Sequence, residues 1–121
     1  MSYWQILYWL LIGHALADYA LQSDSMINRK NPKWVIQDVR IVRSPYGPWW
    51  WTMLAHSAIN GAFVSLLTGN IAYGMVETVL HFLLDWAKCL GKINAMEDQA
   101  GHILSKVLIA GAYTFVQPAI F

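Results

Sequence analysis

Four histidines stand one to an apolar segment, and each has a polar residue four positions away: His14 with Asp18, His56 with Asn60, His81 with Asp85, and His102 with Asp98. On a helix, residues four apart share a face, with Cβ atoms roughly 5–6 Å apart. Each pair is therefore a short polar stripe on an otherwise apolar helix. Buried polar groups without partners are costly, so four such stripes have to meet one another. The pattern predicts helices closed around a polar interior. The longest stripe carries Glu77, His81, Asp85 and Lys88.

The apolar segments cover residues 3–22, 49–67, 71–90 and 98–121, lengths that match a hydrocarbon core of ~30 Å. Charged residues make up 12% of the 121 and hydrophobic ones 57%, with mean hydropathy +0.38, against about 25% charged in an ordinary soluble domain. Seven Trp and six Tyr are present, and Trp49-Trp50-Trp51 opens the second segment in the manner of an interfacial aromatic belt. The predicted fold is all-α: a four-helix transmembrane bundle forming one domain, 1–121, with an aromatic and basic insert, 23–48, between helices 1 and 2. No Lys or Arg precedes Arg29, so the first segment reads as a retained helix rather than a signal peptide.

Arg29, Lys30, Lys33, Arg40, Arg43 and Lys92 fall on one side of this arrangement, and the positive-inside tendency places that side in the cytoplasm. The expected location is the inner membrane, with multiple passes and both termini outside. With neighbouring helices antiparallel, all four stripes reach the same depth, about 5–15 Å from the basic face at 1.5 Å per residue.

Histidines and carboxylates gathered at one level are the donor set of a metal site, and neutral imidazole with carboxylate suits Zn²⁺, with Mn²⁺ or Fe²⁺ as alternatives. The expected ligands are His14, Asp18, His81, Asp85 and His102. Asp98, His56 and Lys88 are the expected catalytic groups, moving a proton or holding an anionic substrate. Asp98 stands at a predicted helix start and serves equally as an N-cap. Lys88 serves equally by reaching to the interface. Glu77 is expected to orient a ligand or to pair with Lys106; Gln22 and Gln99 read first as ordinary helix-end residues, with support of the ligands from behind as the alternative. A bound ion lowers the pKa of water towards neutrality, so the expected activity is metal-dependent hydrolysis of a membrane-associated or phosphate-containing substrate, such as a phospholipid headgroup.

Net charge +1, with no glycine-rich phosphate loop, gives no nucleic-acid signal, and the single Cys89 excludes a disulfide framework. The expected partners are the lipid bilayer and a second copy or another membrane protein. A non-catalytic membrane protein that modulates a host membrane complex accounts for the same residues. An ion-conducting bundle and a bis-histidine haem protein fit them less well.

The pattern His14-x3-Asp18-Tyr19-x2-Gln22, His56, His81-x3-Asp85-x2-Lys88 and Asp98-Gln99-x2-His102 resembles the family designated domain of unknown function 3307, small bacterial and phage membrane proteins. The resemblance covers nearly the whole chain and implies a multi-helix inner-membrane protein. The His and His-x3-Asp elements alone are also similar to inner-membrane metal-dependent hydrolases.

Overall fold

The computed structural model describes residues 1–33 and 48–116. These residues form helix α1 (Tyr3–Ala15), a π-helical turn (Leu16–Ala20), a short α2 (Asp24–Arg29), and three long helices, α3 (Trp49–Thr68), α4 (Ile71–Cys89) and α5 (Ala95–Phe115). The chain is all-helical over this range, as expected. Most of the predicted insert, with Arg40 and Arg43, lies outside the described residues, as does the predicted end of the last helix at 117–121.

Helix ends follow local chemistry. Ser2 caps α1 through a capping box with Gln5, the Ser2 side chain accepting from the Gln5 amide and the Gln5 side chain accepting from the Ser2 amide. Gly69, at φ 67°, ends α3 in the left-handed region, and the Asn70 side chain accepts from the Ala72 amide at 2.9 Å to start α4. The resulting α3–α4 hairpin is tight. A Cβ built on Gly61 would fall 2.5 Å from the Gly74 carbonyl oxygen, and one on Gly74 would fall 2.5 Å from that of Gly61. The helix axes meet at these two glycines, backbone against backbone.

Helix α5 begins three residues before its predicted start. Asn94 is its N-cap, bonded at 2.8 Å to the Glu97 amide and answered by the Glu97 carboxylate at 3.0 Å. Asp98 is thereby released from the capping role and turned into the bundle, where it is buried.

The bundle is divided along its length. One end holds an apolar core of Ile6, Leu10, Val64, Ile109 and Ala110, closed by Tyr3, Leu7, Leu67, Tyr73 and Tyr113. The other end has a polar interior built from the four histidine stripes and from buried Lys30, Glu77 and Lys106. Outer faces carry large exposed apolar side chains, among them Trp4, Leu66, Met75 and Leu108.

The transmembrane expectation is corrected here. Among the described residues no helix is long and apolar enough to cross a membrane, which removes the multi-pass inner-membrane placement with external termini. The causes are visible helix by helix. Helix α1 has only 13 residues before the backbone opens into the π turn. Helix α4 carries Glu77, Asp85 and Lys88, and α5 carries Glu97, Asp98 and Lys106. In α3 three tryptophans, His56 and Asn60 dilute the apolar run. High overall apolar content was spread over segments that each contained the polar groups of the interior. The common level of the four stripes survives this correction, because antiparallel packing alone produces it.

Candidate metal centre

The site is assembled from five elements. Helix α1 carries His14 in its last turn, and the π turn carries Asp18; the Leu21 amide donates to the Leu16 carbonyl at 2.8 Å across five residues. Such one-turn widenings recur at functional sites. This one places Asp18 inside the bundle, with its Oδ2 3.5 Å from His14 Nε2. Helix α3 contributes His56 and Asn60 from around its middle, α4 contributes Glu77, His81 and Asp85, and α5 contributes Asp98, His102, Ser105 and Lys106.

At the centre, three donor atoms form a near-equilateral triangle. His56 Nε2 lies 3.0 Å from His81 Nε2, and Asp18 Oδ1 lies 3.1 Å from the first and 3.2 Å from the second. Asn60 Nδ2 closes on His81 Nε2 at 3.3 Å while donating to the His56 carbonyl at 3.1 Å. A second group, His14, His81 and His102, also brings its ligand atoms within 4.8 Å of one another. The His81 and His102 rings stack at 4.2 Å. The Nδ1 atoms of all four histidines lack a hydrogen-bond partner, although the Glu77 carboxylate approaches His81 Nδ1 to 3.6 Å.

Cations surround this cluster. The Lys106 ammonium donates to Glu77 Oε1 at 2.5 Å, and Ser105 Oγ donates to Glu77 Oε2 at 3.2 Å. Lys30 reaches in from beyond α2, donating to Asp85 Oδ2 at 2.5 Å and to Gln22 Oε1. Lys88 spans Asp85 at 3.2 Å and Asp98 at 3.4 Å, and at 33% exposure it reaches solvent, whereas Lys30 and Lys106 are buried. Gln99 ties the outer ligands, its Oε1 3.1 Å from His14 Nε2 and its Nε2 3.3 Å from Asp18 Oδ2.

These contacts set the protonation states. Burial alone would raise the Asp18 carboxyl, but hydrogen bonds from His56 and His81 overcome it and hold the group well below the usual carboxylate range. Asp85 follows the same pattern, with Lys30 and Lys88 outweighing burial. Burial pushes His14 and His56 down, towards the neutral ring that binds metals. In His81 burial is outweighed by Asp18 and Glu77, and the ring is pushed up.

All eight residues expected as ligands or catalytic groups come together in this interior. Their positions within it are not equivalent. His56 stands in the central triangle. Asp85 is 3.5 Å from His56 Nε2, but its Oδ2 is engaged by Lys30. Asp98 Oδ1 lies 3.1 Å from His102 Nε2 without a hydrogen bond between them. Glu77 makes both contacts expected of it, to Lys106 and towards His81. Sequence reasoning missed Lys30, which was assigned to the surface insert although it is 3% exposed. Its partner lies 55 residues away, and no spacing rule reaches that far.

Searches against curated proteins and against solved structures give no match to this chain, so the likeness to inner-membrane metal-dependent hydrolases has no support there. The family model described as Protein of unknown function (DUF3307) matches residues 6–120, and the chain belongs to that family.

Proposed function

We propose that this protein is a metal-dependent hydrolase whose divalent ion is held by Asp18, His56 and His81. The observation that carries the reading is the triangle of Asp18 Oδ1, His56 Nε2 and His81 Nε2, with sides of 3.0, 3.1 and 3.2 Å. Ligands about 2.0–2.1 Å from an ion stand about 3.0 Å apart at right angles and about 3.3 Å apart at tetrahedral angles. Three buried donors at this spacing leave the remaining positions open for water and substrate. Two histidines and one carboxylate suit zinc, and also iron or manganese.

The ion supplies a water of lowered pKa and a Lewis acid for the scissile group. Asp85 is the carboxylate nearest the triangle, 3.5 Å from His56 Nε2. With an ion bound, it would accept a hydrogen bond from that water and orient it, and Lys30 keeps the carboxylate ionised for such a role. Glu77 faces the His81 ring from the Nδ1 side at 3.6 Å, where carboxylates behind metal-bound histidines stand. Lys88 is partly exposed and already spans two carboxylates. It is placed to receive an anionic substrate, which favours a phosphate ester.

The test is hydrolysis of p-nitrophenyl phosphate and bis(p-nitrophenyl) phosphate by protein loaded with zinc, manganese or iron. Turnover that is abolished by Asp18→Asn and reduced by Lys88→Ala is expected. A metal-loaded, folded wild type that turns over neither ester would refute phosphate-ester hydrolysis.

A further inference from the structure

We propose that a second divalent cation binds beside the first, between the end of α1 and the start of α5, held by His14, His102 and Asp98 and bridged to the first by Asp18. This deepens the metal reading above and rests on it.

The carboxylate of Asp18 faces two ways. Its Oδ1 belongs to the triangle with His56 and His81, while its Oδ2 points to His14 Nε2 at 3.5 Å and Gln99 Nε2 at 3.3 Å. A carboxylate with separate donor sets on its two oxygens is the geometry of a bridge between ions about 3.5–4 Å apart.

On α5, His102 Nε2 and Asp98 Oδ1 stand 3.1 Å apart. Both atoms are buried, yet neither makes a hydrogen bond, to the other or to anything else. Their separation suits a hydrogen bond and their directions do not. Two buried donor atoms left in this state are costly, and a cation accepting both removes that cost. Their spacing is again that of two ligands on one ion.

His14 completes the set from the opposite helix. The ligand atoms of His14, His81 and His102 lie within 4.8 Å of one another, and the His14 and His102 rings are 4.9 Å apart. Since Nε2 of His81 is committed to the triangle, the second ion takes the other two rings. The two His/Asp pairs thus face each other, i to i+4 on α1 and its π turn, and i to i+4 on α5. Gln99 ties two of these residues, its Oε1 lying 3.1 Å from His14 Nε2 and its Nε2 donating to Asp98 at 3.4 Å. An entering cation displaces its amide from His14 and Asp18 and can take the amide oxygen as a further ligand. In chemistry a second ion suits phosphate-ester hydrolysis, where one ion activates the attacking water and the other stabilises the leaving oxygen.

The test is titration of the metal-free wild type with Mn²⁺, followed by electron paramagnetic resonance and by ion content after gel filtration. Two ions per chain, with the isolated-ion signal giving way to an exchange-coupled spectrum at the second equivalent, are expected. His102→Ala should keep a single uncoupled ion. One ion per chain in the wild type, or two in His102→Ala, would overturn the second site and leave the first standing. No bound ion would overturn both. If His102→Ala fails to fold by circular dichroism, the wild-type titration decides alone.

Discussion

Replacing Lys106 by Met separates the scaffold of the site from its chemistry. Lys106 is 1% exposed and Glu77 is fully buried, with their charged atoms 2.5 Å apart. Removing one partner of such a pair strands the other charge in the interior, which costs about 3–5 kcal/mol. Ser105 keeps one Glu77 oxygen bonded at 3.2 Å, so the lower part of that range, about 3 kcal/mol, is expected for Lys106→Met. That is a large share of the 5–15 kcal/mol typical of a folded domain. The double variant Glu77→Met/Lys106→Met removes both charges at similar volume and should return to within about 1 kcal/mol of wild type. Its metal affinity should nonetheless fall about 10–100-fold, because His81 has lost the carboxylate behind its Nδ1. Urea unfolding followed by tryptophan fluorescence, with chelator present, measures the stabilities. A single variant that loses less than about 1 kcal/mol, or a double variant as unstable as the single, would refute the reasoning.

Three further predictions concern packing, acid and substrate. Gly61→Ala should destabilise by about 1–3 kcal/mol, because the new Cβ meets the Gly74 carbonyl oxygen at 2.5 Å. Gly111→Ala, with open space around the added carbon, should instead stabilise by about 0.5–1 kcal/mol; equal effects in urea unfolding would contradict the close α3–α4 approach. The metal-free chain should lose stability as pH falls below 6.5. There His14 and His56, both held low by burial, bind protons when unfolded and resist them when folded, so the unfolded state gains by up to about 1.4 kcal/mol per pH unit for each. His81, pushed up, adds nothing in that window, since it is protonated in both states; its contribution is lost only above 6.5, as pH rises through its folded value. Chemical unfolding at pH 6 and pH 5, both below 6.5, checks the sign, and equal or greater stability at pH 5 would contradict it. Lys88→Ala should raise KM for an anionic ester more than it lowers kcat, if the lysine binds rather than reacts; a loss confined to kcat would reassign it.

Much of this architecture is legible in the sequence, for reasons that differ by residue. The α3–α4 hairpin reads directly because Thr68-Gly69-Asn70 supplies a left-handed stop and a side-chain cap in adjacent positions. The histidine stripes read because i to i+4 spacing is a property of a single helix. The start of α5 was misplaced because Asp98 is as good a cap by type as Asn94, and only the reciprocal Glu97 contact distinguishes them. The π turn was hidden because His14, Asp18 and Gln22 keep regular i to i+4 spacing through residues 16–20, as they would on an unbroken α-helix. Lys30 was hidden because a buried lysine is recognised by its partners, and Asp85 is distant in the chain. The transmembrane reading failed because total apolar content does not report how polar groups are shared among individual helices.

The central claim is that Asp18, His56 and His81 hold a divalent ion, and elemental analysis tests it most directly. Purified wild type should be compared with His81→Ala and Cys89→Ser after exposure to zinc, manganese and iron and removal of free metal. The account predicts at least one tightly held ion per chain in the wild type and in Cys89→Ser, and loss of the triangle's ion in His81→Ala. Folded wild-type protein that remains empty after every metal has been supplied would contradict it, and the histidine cluster would then be a polar network that holds the helices together.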